Sequence, residues 1–236
     1  MSISISSTSY LPPNPKIWKK LSSLSKKIAF NEYANLHSGF IQNSKIEYSI
    51  FIIFFQDLMG INQNKKIKIF LKNLEGYLIK CETNVVVAFS NYDGNNNIVE
   101  NAKKLILNKK VANNFKNKIY KFTNLYNNLL FVDLDLPFTY YGYKTIFDSR
   151  NWYTYHMRVS YESLSIIDKA IHQVIYRNTN TNKKVLILDC DNTLWGGVVG
   201  EIGWNKIQLG EEGIGNAFRE FQKEIKIILK KGILIG

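Results

Sequence analysis

Cysteine is scarce in this 236-residue chain: there are two, Cys81 and Cys190. Two thiols so far apart form neither a disulfide framework nor a zinc-ligand spacing. A reducing cytoplasm is the expected compartment. Long apolar runs are missing as well. The longest, Ile50 to Phe55, is far too short to span a bilayer, so no membrane association is expected. The N-terminus lacks the apolar stretch of a signal peptide. Acidic residues are few: 19 Asp and Glu stand against 31 Lys and Arg, giving a formal net charge of +12. That balance favours acidic partners such as phosphorylated metabolites, an acidic protein or nucleic acid. The basic residues are scattered, however, and no arginine-rich block marks a nucleic-acid footprint, so no nucleic acid is expected. His37, His156 and His172 sit in no recognisable constellation.

Hydrophobic residues make up 45% of the chain, enough to bury a sizeable core. Residues 1–16 are Ser-rich and hold Pro12, Pro13 and Pro15, which reads as a flexible leader. Residues 17–35 have mixed helical spacing. Tyr48 to Phe55 is a continuous apolar run ending at Gln56-Asp57, the pattern of a strand buried on both faces. A helix is expected over 65–78, a strand over 84–89 and a turn cluster over 90–97. One or two helices follow over 98–126, then a strand over 129–133 and a helix over 161–177. A polar linker, 178–182, precedes a strand over 184–188. Strands alternating with helices predict an α/β fold with a parallel sheet covered on both faces. A boundary near residue 180 divides residues 17–180 from a second domain, 181–236. The latter has a helix over 215–230 and the beginning of a strand at 233–235.

The richest segment is Val185 to Gly197. An apolar strand delivers Asp189 and Asp191 to its C-terminal end, where open α/β sheets place their ligands. Two carboxylates there suit a hard cation and phosphoryl chemistry better than a core. Gly196 and Gly197 permit a tight turn beside them. By strand alternation Cys190, between the two acids, faces away from Asp189 and packs inside; the alternative is a reactive thiol. Trp195 either packs or walls a pocket.

Asp189-Cys190-Asp191-Asn192-Thr193 resembles the DxDxT motif of the haloacid dehalogenase (HAD) superfamily of phosphotransferases. The extension Leu194-Trp195-Gly196-Gly197-Val198-Val199-Gly200-Glu201, with Ile207-Gln208-Leu209-Gly210 and Phe218…Phe221-Gln222, resembles its FkbH-like branch. Asp148 to Tyr153 resembles the segment preceding the catalytic strand in that family. The resemblance implies an SGNH-hydrolase-like N-terminal α/β domain followed by a HAD Rossmann-like domain. The residues carry neither a GDSL serine motif nor Asp-x-x-His, so hydrolase activity is not expected of the N-terminal part.

The activity implied is removal of phosphate from 1,3-bisphosphoglycerate and loading of a glyceryl or related acyl group onto an acyl carrier protein. Asp189 matches the nucleophile that forms an aspartyl-phosphate, and Asp191 matches the general acid and base. Asp189 and the Asp191 carbonyl would hold Mg²⁺. Thr193 would brace Asp191 or the phosphate loop, to which Asn192, Trp195, Gly196 and Gly197 belong. Cys190 would carry the acyl group as a thioester. The superfamily also needs a Ser or Thr, a Lys and further acids beyond Gly236. The HAD domain is thus expected to be truncated here and this chain to be inactive alone. A plain small-molecule phosphatase and a non-catalytic carrier-protein-binding module are the competing readings.

Overall fold

Strand residues alternate between two buried faces, and that alternation builds the larger part of the molecule. The computed structural model describes residues 1–25, 27–41, 45–91, 102–179, 184–230 and 232–236. The chain divides into two units, Met1–Thr179 and Asn180–Gly236.

The first unit centres on a five-stranded parallel sheet: β1 (Ser2–Ser7), β2 (Lys27–Phe30), β3 (Tyr48–Phe54), β4 (Asn84–Ser90) and β5 (Leu129–Asp133). Their spatial order is β2-β1-β3-β4-β5. The connecting helices are α1 (Lys19–Leu24), α2 (Gln63–Lys80), α3 (Ala102–Leu125), α4 (Asp135–Tyr141), α5 (Tyr143–Ile146), α6 (Ser149–Tyr155) and α7 (Tyr161–Thr179). On one sheet face Ile50, Ile52, Val86 and Ala88 pack with Leu164, Ile167 and Ile171 of α7. On the other, Phe51, Ile53, Val85 and Val87 pack with Phe70 and Leu74 of α2 and Phe115 and Ile119 of α3. Covered on both sides, β3 and β4 read as unbroken apolar runs rather than alternating ones. The sheet order reverses between β1 and β3, which makes their C-terminal ends the switch point where such sheets form ligand crevices.

Residues 1–16 are not a flexible leader. Ser2–Ser7 form an inner strand flanked by β2 and β3, with Ile3 and Ile5 in the core. The serines that suggested a loop point to the other face, where Asn31 Nδ2 donates to Ser4 Oγ at 3.0 Å and Ser6 Oγ at 2.7 Å. The mixed helical segment over 17–35 is in fact α1 followed by β2. The N-terminal unit therefore begins at residue 1, not 17. The turn cluster expected over 90–97 lies, from 92 on, outside the described residues, as does the linker from 180 on.

The second unit contains β6 (Val185–Leu186), α8 (Val199–Ile202), α9 (Gly213–Lys230) and β7 (Leu234–Ile235), with β6 and β7 paired in parallel. No helix among the described residues is long and apolar enough to cross a membrane.

Candidate functional site

In the second unit β6 delivers the acidic motif. The Leu188 amide donates to the Gly236 carbonyl at 2.8 Å, extending the β6–β7 ladder to the residue before Asp189. The chain then turns: the Leu194 amide donates to the Cys190 carbonyl at 2.8 Å. Asp189 Oδ1 accepts the Cys190 amide at 2.7 Å. Asp191 Oδ1 accepts Trp195 Nε1 at 3.0 Å and the Val199 amide at 3.3 Å. Among the described residues no hydrogen bond reaches the second oxygen of either carboxylate.

Asn192 adopts a left-handed φ of 55° and its Oδ1 accepts the Gly197 amide at 2.8 Å, closing the loop. Gly196 exchanges backbone hydrogen bonds with Gln208 at 3.0 and 2.8 Å. A Cβ on Gly196 would lie 2.9 Å from Phe218 Cε2 and 2.7 Å from Gln208 Oε1, so only glycine fits. Gln222 of α9 donates to the Leu194 carbonyl at 2.7 Å and ties the helix to the loop.

Two expectations change here. Cys190 is exposed, not packed inside. The alternation that would bury it ends with β6 at Leu186, before the motif begins. Of the two roles expected of Thr193, bracing Asp191 falls to Trp195 and Val199, whereas the Thr193 amide closes the loop itself onto the Cys190 carbonyl at 3.3 Å.

The donor set fits Mg²⁺. Magnesium takes one or two carboxylates and keeps waters and phosphate oxygens for the rest of its shell. Asp189 and Asp191 offer two hard oxygen donors in one short loop. Among the described residues no group of three or more His, Cys, Asp or Glu could hold a metal, so an all-protein cage is not on view.

The first unit holds a cluster that the sequence reading passed over. At the switch point Asp57, in the 3₁₀ turn Phe55–Leu58 after β3, pairs with Arg158, Nε to Oδ1 at 2.7 Å. The Arg158 guanidinium lies 3.8 Å over the Trp152 ring. Its amide donates to Ser9 Oγ at 2.9 Å, just after β1. Burial pushes the Asp57 carboxyl up, against the pull of Arg158. The signal was present: the apolar run of β3 ends at Gln56-Asp57, as the apolar run Val185 to Leu188 ends at Asp189.

At the ends of β4 and β5, Asp135 accepts Ser90 Oγ at 2.8 Å and the Asn91 amide at 2.9 Å. Lys116 pairs with Asp133. Burial, reinforced by the neighbouring Asp133 charge, raises the Asp135 carboxyl even against its Ser90 hydrogen bond. Asp148 and Arg150 form a two-point ion pair, at 3.0 and 2.8 Å, where Asp148 caps α6.

No family model matches the chain, and no curated protein matches it. Among solved structures it is similar to the N-terminal part of the protein BF1531 from Bacteroides fragilis, described as containing a phosphatase domain complexed with Mg. The two share 22% identity and a TM-score of 0.79 over 99% of this chain and 67% of the other. The likeness establishes a shared α/β fold across both units.

Proposed function

We propose that the second unit carries the nucleophile loop of a Mg²⁺-dependent phosphatase or phosphotransferase of the haloacid dehalogenase type, acting on a phosphorylated small molecule. The carrying observation is the pair Asp189 and Asp191, each fixed through one oxygen with the other left for a ligand. The Mg-bound phosphatase domain of the similar Bacteroides protein supports it. Asp189 attacks phosphorus and takes the phosphoryl group. Asp191 protonates the leaving oxygen and afterwards activates water. Asp189 through its carboxylate and Asp191 through its backbone carbonyl would hold Mg²⁺, which would neutralise phosphate charge and orient the transferred group. Asn192, Thr193, Gly196 and Gly197 shape the phosphate loop. The five-stranded parallel sheet suits an SGNH-like reading of the first unit, and two unpaired cysteines suit the cytoplasm.

The test is turnover of p-nitrophenyl phosphate by the full-length protein. Hydrolysis that stops on Mg²⁺ removal and in Asp189→Asn is expected; turnover retained in Asp189→Asn overturns the reading.

Exposed Cys190, next to Asp189, favours a finer version in which the enzyme is FkbH-like. Its sulfur attacks the acyl carbon of 1,3-bisphosphoglycerate and displaces the C1 phosphate, Asp189 takes the C3 phosphoryl group and passes it to water, and the resulting glyceryl group moves from Cys190 to the thiol of an acyl carrier protein. Intact-mass measurement on a carrier protein separates the two. A glyceryl adduct lost in Cys190→Ala supports transfer, and phosphate release with no adduct leaves the plain phosphatase.

A further inference from the structure

We propose that the first unit binds a small hydroxylated, anionic ligand in the cavity at the C-terminal ends of β1 and β3, with the Asp57 carboxyl as the recognition group. The inference stands apart from the phosphatase reading, because every residue it uses lies between Thr8 and Arg158.

The cavity has a volume of about 390 Å³, within the range of small-molecule sites. It opens at the point where the strand order reverses, the place where parallel sheets form crevices for ligands. Position alone would be a generality. The independent observation is Asp57, which lines the cavity and whose side chain is only 9% exposed. Oδ1 is committed to Arg158. Oδ2 is buried with no hydrogen-bond partner. The Thr8 hydroxyl is near enough to favour the ionised carboxyl, but it accepts the Phe54 amide at 2.9 Å and donates to the Phe54 carbonyl at 3.4 Å. A buried acceptor without a partner is unfavourable, and a donor entering the cavity relieves it.

The other lining residues set the rest of the ligand. Phe40 and Phe70 form a tilted pair with centroids 5.6 Å apart and offer an apolar wall. Exposed Lys66 lines the same cavity, close enough for its charge to act on Asp57. His37, Asn35 and Asn73 are further nitrogen-bearing lining groups. Since Arg158 already balances Asp57, Lys66 is left to favour an anionic end. A hydroxyl donor inside, an apolar body and an acid outside describe a hydroxy acid.

The probe is 3-(4-hydroxyphenyl)propionate, titrated into the full chain and followed through backbone amide shifts. Two analogues accompany it: 3-phenylpropionate, which lacks the donor, and tyramine, which lacks the acid. We expect saturable shifts centred on Thr8, Asp57 and Phe70, and binding about tenfold weaker for each analogue. Ile69→Trp fills the cavity from a half-exposed position without touching the ion pair and should abolish the shifts. Asp189→Asn should leave them intact, which separates this site from the phosphatase loop. No saturable binding, equal binding of the three probes, or binding unchanged in Ile69→Trp overturns the proposal.

Discussion

Arg158 Nε stands 2.7 Å from Asp57 Oδ1 and joins the segment before α7 to the end of β3, 101 residues away. Both side chains are largely withdrawn from water, at 14% and 9% exposure. Removing one member of such a pair leaves the other charge buried alone, typically at about 3–5 kcal/mol. Arg158→Met should therefore lower the unfolding free energy by about that amount, read from urea transitions. Replacing both residues, as Arg158→Met with Asp57→Leu, should recover most of the loss. A single Arg158→Met within about 1 kcal/mol of wild type would show that the pair carries little.

The same carboxyl predicts a direction with pH. Burial raises Asp57 more than Arg158, the Thr8 hydroxyl and Lys66 lower it. Its folded pKa therefore exceeds the unfolded value, and the unfolded chain gives up the proton first. The associated stability is fully present below the ordinary carboxylate pKa and is lost as pH rises through the raised one. The difference in Tm between wild type and Asp57→Asn should thus shrink from about pH 4 to about pH 7. A difference that grows over that interval would reverse the sign and the argument.

Asp168 in α7 holds the start of α1, accepting the Lys20 amide at 2.7 Å and the Leu21 amide at 2.9 Å. These are first-turn donors that the short helix cannot satisfy itself. Trp18, which precedes the helix, makes no side-chain cap. Asp168 is 2% exposed, so Asp168→Ala leaves two amides without their acceptor at about 2–3 kcal/mol. Hydrogen exchange should show protection lost first at Lys20 and Leu21. Protection lost evenly over the first unit would mean that Asp168 holds the whole domain rather than α1.

Much of this fold is legible in the chain because burial leaves a periodic trace. Tyr48–Phe54 and Asn84–Ser90 are strands within a residue of their expected ends, and Tyr161–Thr179 is the expected helix. What escaped is β1, β2 and the short helices α4, α5 and α6. In β1 every second residue is serine, and its burial depends on Asn31 donating to two of those hydroxyls, a tertiary contact that no local pattern announces. At the acidic motif the residue types were readable and their partners were not. Trp195 could be seen as a pocket wall or as packing, whereas its indole nitrogen reaching Asp191 depends on how the loop turns between them. Cys190 was misplaced for a related reason: the alternation used to orient it requires a strand that ends at Leu186.

That Trp195–Asp191 contact yields a prediction about rate, resting on the proposed phosphatase. The indole N–H at 3.0 Å fixes the carboxylate that moves the proton. Trp195→Phe keeps a ring in place and removes the donor. Val199 alone would then hold Asp191, at 3.3 Å. A hydrogen bond to a charged group contributes about 1.5–3 kcal/mol, so kcat should fall roughly 10- to 100-fold. KM for p-nitrophenyl phosphate should move little, because Asp191 acts on the leaving oxygen rather than in binding phosphate. A histidine, which restores an N–H donor, should recover part of the loss. If Trp195→Phe instead lowers Tm while kcat stays at the wild-type value, Trp195 packs the loop and does not position the acid.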